Sequence, residues 1–173
     1  PHWIGNSILF CGNKHLMFPF HCLMGPHWMI MLSSYAQILI YSLLFIFLVT
    51  ENLPYGFTLA AVISLCVLLA TFSATAFSDP GIVYKNPSNG TSVTVQPVAA
   101  EDGRALEVQR LIECSQCKIM RPNTARHCNF CGVCVDKLDH HCPFTGKCIG
   151  QKNMPQFSAF VSTLYLHSTY VFV

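Results

Sequence analysis

The sequence predicts a polytopic α-helical membrane protein with a cytosolic, zinc-stabilised cysteine-rich domain between its second and third spans, and three observations carry this. Of its 173 residues, 52% are hydrophobic and only 10% charged, against about 25% charged in an ordinary soluble domain. Two uncharged apolar stretches of membrane-crossing length lie in the first half. Seven of the ten cysteines crowd together with histidines between Cys114 and Cys148. The net charge of +2 is too small to argue for a nucleic-acid partner, and no basic helix is present to serve one. The density and spacing of the cysteines read as metal binding rather than as a secreted disulfide framework.

Residues 1–28 form an N-terminal cytosolic segment. The first span is 29–49, MIMLSSYAQILIYSLLFIFLV, which holds no charged residue, and about 20 apolar residues suffice to cross the hydrocarbon core. It is not a signal peptide, because it begins far from the terminus with no basic region directly ahead. Residues 50–56 are a lumenal link with the turn chemistry of Asn52-Leu53-Pro54-Tyr55-Gly56. The second span, 57–77, closes a helical hairpin. A cytosolic linker follows at 78–113, rich in Pro, Gly, Ser and Thr from Asn86 to Gly103. The cysteine-rich domain is 114–156. The third span, 157–173, is interrupted by the end of the sequence, and the opening on Pro1 likewise reads as a cut. No internal repeat is evident.

Orientation follows from the basic residues, since short cytoplasmic loops are enriched in them. Nine of the ten, among them Lys85, Arg104, Arg110, Lys118, Arg121 and Arg126, lie between the second and third spans, and the hairpin link carries none. The cysteine-rich domain therefore faces the cytosol, where thiols stay reduced. The sequon Asn89-Gly90-Thr91 would matter only if this loop were lumenal.

From Cys114 onward the metal-binding residue types run Cys114, Cys117, His127, Cys128, Cys131, Cys134, His140, His141, Cys142 and Cys148. A C-x2-C pair turns two sulfurs toward one ion, and zinc prefers four N/S ligands in a tetrahedron. Two sites of three cysteines and one histidine would use eight groups and leave one of each over. The alternative is that all ten groups are structural or idle. So short a loop, poor in large apolar residues, needs metal to fold.

Asp139-His140-His141-Cys142, preceded by these ligands and followed by Cys148-Ile149-Gly150, resembles the cysteine-rich domain of the DHHC protein S-acyltransferases. Arg121-Pro122, Asn153, Phe157 and Asp79-Pro80-Gly81 extend the resemblance. It implies one zinc on Cys114, Cys117, His127 and Cys134 and a second on Cys128, Cys131, His141 and Cys148. It further implies that Cys142 is the nucleophile that takes a fatty acyl group from palmitoyl-CoA as a thioester. His140 would be its base and Asp139 the group that orients the imidazole, the logic of other covalent catalysts. The implied acceptors are cysteines of membrane-associated proteins, and the implied location is an endomembrane or plasma-membrane bilayer. A catalytically idle zinc-domain scaffold is the competing reading. Phe144 stands where the family usually has Trp, Lys147 where it often has Asn, and Thr124 where an Arg is common. The family carries a fourth span and a later Thr-Thr-x-Glu motif, neither within these residues, so this stretch alone is expected to be inactive.

Small residues of the second span, Ala60, Ala61, Ser64, Ala70, Ser73 and Ala74, are candidates for close helix packing around an acyl slot. Cys11 and Cys22, with His15 and His21, could be acylated or bind metal, though idle thiols are the simpler reading. His167 is an ionisable group in an apolar helix, with a hydrogen-bonding partner as its simplest explanation. Trp28 and Tyr55 sit where interface anchors belong.

Overall fold

The computed structural model describes residues 2–11, 22–84 and 111–172. The sequon, His15, His21, Lys85, Arg104, Arg110 and the Pro/Gly/Ser/Thr-rich linker lie outside the described residues, as do the side chains of Cys11 and Cys22.

Three short strands open the chain, β1 (His2–Ile4), β2 (Ser7–Cys11) and β3 (Cys22–Met24), paired antiparallel in that order. The N-terminal segment is thus a folded sheet docked on the cysteine-rich domain. Its Leu9 and Leu23 are buried with Ile82, Cys131, Val133, Val135 and Cys148.

Helix α1 (Trp28–Leu44) continues without a break through a wider turn at Phe45–Val49 and a tighter one at Thr50–Asn52. Pro54, extended at φ −53° and ψ 141°, ends that run and stands as the N-cap of α2 (Tyr55–Phe77). Trp28 and Tyr55 are the first residues of the two helices. The two apolar segments, Trp28–Asn52 and Tyr55–Phe77, have mean hydropathy of 2.0 and 2.2. At 1.5 Å per residue, 23 residues reach about 34 Å, enough for the hydrocarbon core. Along α1 only Met31 and Ser42 are buried, while Ile30, Leu32, Ile40, Leu44 and others are bare. In water that stripe would be an aggregation surface, whereas a bilayer would cover it. Hydroxyls in these helices are satisfied locally, Ser34 on the Ile30 carbonyl, Ser42 on Ile38 and Thr75 on Thr71.

Helix α3 (Met154–Phe172) packs along α2. Its 19 residues include Gln156, Ser158, Ser162, Thr163, His167, Ser168 and Thr169, so it is far less apolar than the other two. Met31, Leu68, Phe72, Ala76 and Phe160 make the common core of the three helices. Of the small residues of α2, Ala61 is buried and Ser64 and Ser73 bond to His167 of α3 and Tyr35 of α1, whereas Ala60, Ala70 and Ala74 face outward.

Among the described residues between α2 and α3 are three two-stranded ribbons: β4 (Leu111–Cys114) with β5 (Ile119–Pro122), β6 (Arg126–Cys128) with β7 (Val133–Val135), and β8 (His140–Cys142) with β9 (Lys147–Ile149). They expose a repeat that the sequence reading missed. Cys114, Cys128 and Cys142 end the first strand of each ribbon, and Lys118, Gly132 and Gly146, four residues on, carry positive φ of 53°, 66° and 82°. That left-handed residue closes the same tight turn three times. Isolated two-stranded ribbons of this size are marginal by themselves, so the domain depends on what its turns bind and what they dock against.

Candidate active site and metal centres

Each of the first two ribbon turns brings its cysteine pair toward the histidine and the last cysteine of the next ribbon. Ligand atoms of Cys114, Cys117, His127 and Cys134 lie within 4.8 Å of one another, as do those of Cys128, Cys131, His141 and Cys148. In the second cluster His141 Nδ1 is 3.5, 3.4 and 3.6 Å from the sulfurs of Cys128, Cys131 and Cys148, and the Cys131 and Cys148 sulfurs are 3.4 Å apart. A tetrahedral ion with bonds of about 2.0 to 2.3 Å requires ligand separations of about 3.5 to 3.8 Å. The first cluster is slightly less regular, with His127 Nδ1 at 3.1, 3.8 and 4.0 Å from Cys117, Cys114 and Cys134. These residues therefore fit two ions, in the two sets the resemblance implies.

The local electrostatics hold one thiol of each cluster down and its neighbours up. The Cys117 N–H donates to Cys114 Sγ at 3.5 Å and holds that thiol down to about 7. Cys128 is driven well below the ordinary thiol range, chiefly by hydrogen bonding from Cys131 and then Cys148, while hydrogen bonding to Cys128 pushes Cys131 up to about 12 and Cys148 well above the ordinary thiol range. Burial lowers the pKa of His141, favouring the neutral imidazole that a metal takes.

In the third ribbon the pattern breaks. Cys142 sits where Cys114 and Cys128 sit, but Thr145 replaces the second cysteine and donates to the Cys142 carbonyl at 3.3 Å. Cys142 belongs to neither ligand cluster. His140 and Cys142, two apart on β8, point to one face of the strand. Asp139 Oδ2 lies 2.7 Å from His140 Nδ1, with both side chains half-exposed. The Phe157 ring meets the His140 imidazole edge-on at 5.2 Å.

Cys142 opens into a cavity of about 390 Å³ between the helices. Ile38, Tyr41 and Ser42 of α1, Leu68 and Phe72 of α2, and Phe157, Phe160, Leu164, His167 and Phe172 of α3 line it, with the exposed Phe144 beside Cys142. His167 is buried and bridges all three helices, Nε2 to Ser42 Oγ at 2.8 Å and Nδ1 to Ser64 Oγ at 2.9 Å. It has the partners that a membrane histidine needs.

Residues 108–173 match the family described as DHHC palmitoyltransferase. That region is similar to the DHHC palmitoyltransferase family. Palmitoyltransferase ZDHHC9 of Homo sapiens and of Mus musculus is 31% identical to the chain over 120 residues, 60% of this chain and 33% of the relative. The Danio rerio protein of that name is 32% identical over 128 residues, 65% of this chain and 33% of its own length. The chain thus spans about a third of the length of these relatives. Proteins of this family are membrane-embedded, in keeping with the two apolar helices.

The flanking motifs serve to position the site. Asp79 Oδ1 accepts the N–H groups of Gly81 and Ile82 at 2.9 and 3.0 Å, and this turn pairs with β7, Val83 N–H on the Cys134 carbonyl at 2.9 Å. Asn153 Oδ1 accepts the Gly150 N–H at 2.9 Å and its Nδ2 donates to the Cys148 carbonyl at 3.1 Å, fixing the start of α3 to β9. Arg121 donates to the Ala125 carbonyl and closes the loop between the first two ribbons. Of the departures from the family, Thr124 donates to Asp136 Oδ1 at 2.6 Å. Lys147 is buried, directly opposite Cys142 in the β8–β9 pair, and its ammonium donates to the carbonyls of Leu23 and Ser78. A second finding absent from the sequence reading is His27, whose Nδ1 lies 2.8 Å from His141 Nε2.

Proposed function

We propose that this chain is the acyl-accepting part of a protein-cysteine S-palmitoyltransferase that moves a fatty acyl group from acyl-CoA, through a thioester on Cys142, to cysteines of membrane-associated proteins. The observation that carries the reading is the single clustered cysteine outside both ligand sets, Cys142, opening into an apolar cavity beside the Asp139–His140 pair.

Cys114, Cys117, His127 and Cys134 would hold one zinc and Cys128, Cys131, His141 and Cys148 the other. With four protein ligands each, such ions supply structural cross-linking and leave no open position for catalysis. Asp139 accepts from His140 Nδ1–H, which leaves Nε2 as the base. That nitrogen takes the Cys142 thiol proton as the thiolate attacks the thioester carbonyl of acyl-CoA. Coenzyme A leaves as its thiolate and takes the proton back from the imidazolium. In the second half an acceptor thiol gives its proton to His140, attacks the Cys142 thioester, and Cys142 departs and is reprotonated. Each half exchanges one thioester for another, so the demand is for an activated thiolate beside a held acyl chain.

The cavity suits that chain. From Phe157 to Phe172, the 15 residue-to-residue rises of α3 run about 22 Å. An extended hydrocarbon built from bonds of about 1.52 Å advances roughly 1.25 Å per bond, so about 16 to 18 carbons fit alongside. Burying 14 methylenes at about 0.8 kcal/mol each contributes at most about 11 kcal/mol, which makes the tail the main source of donor affinity. In this reading α3 is the third span, the cysteine-rich domain is cytosolic, and the exposed Phe144 ring replaces the family's Trp at the cavity mouth.

The test is transfer itself. Full-length protein in detergent, given labelled palmitoyl-CoA and a peptide with a free cysteine, is expected to form a hydroxylamine-sensitive thioester and pass it to the peptide. An idle scaffold would leave the peptide unlabelled.

A further inference from the structure

We infer that His27, in the segment before the first helix, is the positioning residue that holds His141 on the second zinc, making this segment part of that metal site. The inference rests on reading Cys128, Cys131, His141 and Cys148 as a zinc site.

A histidine that binds metal through one ring nitrogen normally donates the other N–H to a partner, which fixes its tautomer and ring angle and makes the ligand more basic. His141 turns Nδ1 toward three sulfurs, so its proton belongs on Nε2, and 2.8 Å away stands His27 Nδ1. In this arrangement His27 accepts through Nδ1 and carries its own proton on Nε2. The first site differs: His127 also turns Nδ1 toward its sulfurs, but among the described residues its other nitrogen has no hydrogen-bond partner. Among the described residues, then, the second site alone has this support.

His27 is itself held from several sides. Its N–H donates to the Gly146 carbonyl at 3.2 Å, in the turn of the Cys142 ribbon, and its carbonyl accepts the Met31 N–H at 3.1 Å, so it caps α1. The Phe130 ring lies against both imidazoles, 5.5 Å from His27 and 4.9 Å from His141. Two residues before His27, Gly25 packs so close that a Cβ there would stand 2.1 Å from the Gly146 carbonyl oxygen. On the other side of the knuckle the Asn6 N–H donates to the Cys131 carbonyl at 2.8 Å and Asn6 Nδ2 to the Phe130 carbonyl at 2.9 Å. The second site is clasped by the N-terminal sheet and by the first turn of α1. Loss of that zinc would thus be felt at the cytosolic end of the helix that lines the cavity.

The experiment is zinc content and zinc release, measured on full-length protein in detergent with a chromogenic chelator. Wild type is expected to hold two ions. His27→Phe keeps a ring against Phe130 but removes the acceptor, and it should release one of the two ions about 10- to 100-fold faster or more weakly held, with the other unchanged. His27→Asn, whose Oδ1 can stand near the lost Nδ1, should restore much of the difference. Wild-type release from His27→Phe, equal loss of both ions, or loss in His27→Asn as large as in His27→Phe would each overturn the inference. Fewer than two ions in wild type would instead overturn the zinc reading beneath it.

Discussion

Gly150→Ala is expected to lower the melting temperature strongly although it adds one methyl group. Gly150 lies just after β9, where three segments meet. A Cβ there would stand 2.5 Å from the Pro80 carbonyl oxygen, 2.6 Å from Val135 Cγ1 and 3.1 Å from the Asp136 carbonyl oxygen. Two of the three are backbone atoms, which no rotamer change can move. Forcing a methyl into a packed site costs about 1 to 3 kcal/mol. The shift required also strains the Gln151 N–H bond to the Asp136 carbonyl (3.1 Å) and the Lys152 N–H bond to Pro80 (3.4 Å), worth about 0.5 to 1.5 kcal/mol each. A loss of about 2 to 6 kcal/mol follows, and at about 2 to 4 °C per kcal/mol for a chain of this size Tm should fall by about 4 to 24 °C. The assay is thermal unfolding in detergent, read by labelling of the buried cysteines. Gly56→Ala is the matched control: it lies in α2 with nothing within 4 Å of a new Cβ, and alanine is the better helix former. Equal losses in the two variants, or none in Gly150→Ala, would refute the close-packing argument.

Other outcomes follow from the same geometry. His140→Ala should slow thioester formation about 10²- to 10⁴-fold, the range of general-base catalysis, while Tm changes little because the Asp139–His140 pair is half-exposed. Leu164→Trp, which narrows the cavity midway along α3, should shift donor preference in a competition of acyl-CoA lengths toward shorter chains, with about 0.8 kcal/mol lost per methylene excluded. Treatment with a strong chelator should make residues 111–153 protease-sensitive while far-ultraviolet dichroism retains the helices, because the ribbons depend on the metal and the helices do not. Low pH should act in the same direction, since protons compete with zinc for thiolates and imidazoles.

The two apolar helices and the room for two metal sites were legible in the sequence, because charge-free length and C-x2-C spacing are local signals, whereas the division into two ligand sets came from the family resemblance. The threefold 14-residue spacing of Cys114, Cys128 and Cys142 was equally visible but went unread, since Thr145 and Met120 break the chemical pattern while the turns keep it. The N-terminal sheet was missed because strands of three to five residues carry too few alternations to register, and its stability comes from Leu9 and Leu23 packing on distant residues. His27 belongs to no motif, and its partner lies 114 positions away. Of the small residues of α2, Ala61, Ser64 and Ser73 meet neighbours and Ala60, Ala70 and Ala74 do not, a division invisible in the sequence because outward-facing and packing small residues look alike until the helix has neighbours.

The most direct measurement is the mass of full-length protein after incubation with palmitoyl-CoA, followed by peptide mapping. One hydroxylamine-sensitive palmitoyl group on Cys142, absent in Cys142→Ser with both zinc ions retained, is the expected result. A thioester that persists in Cys142→Ser, or maps to another of the clustered cysteines, would contradict it.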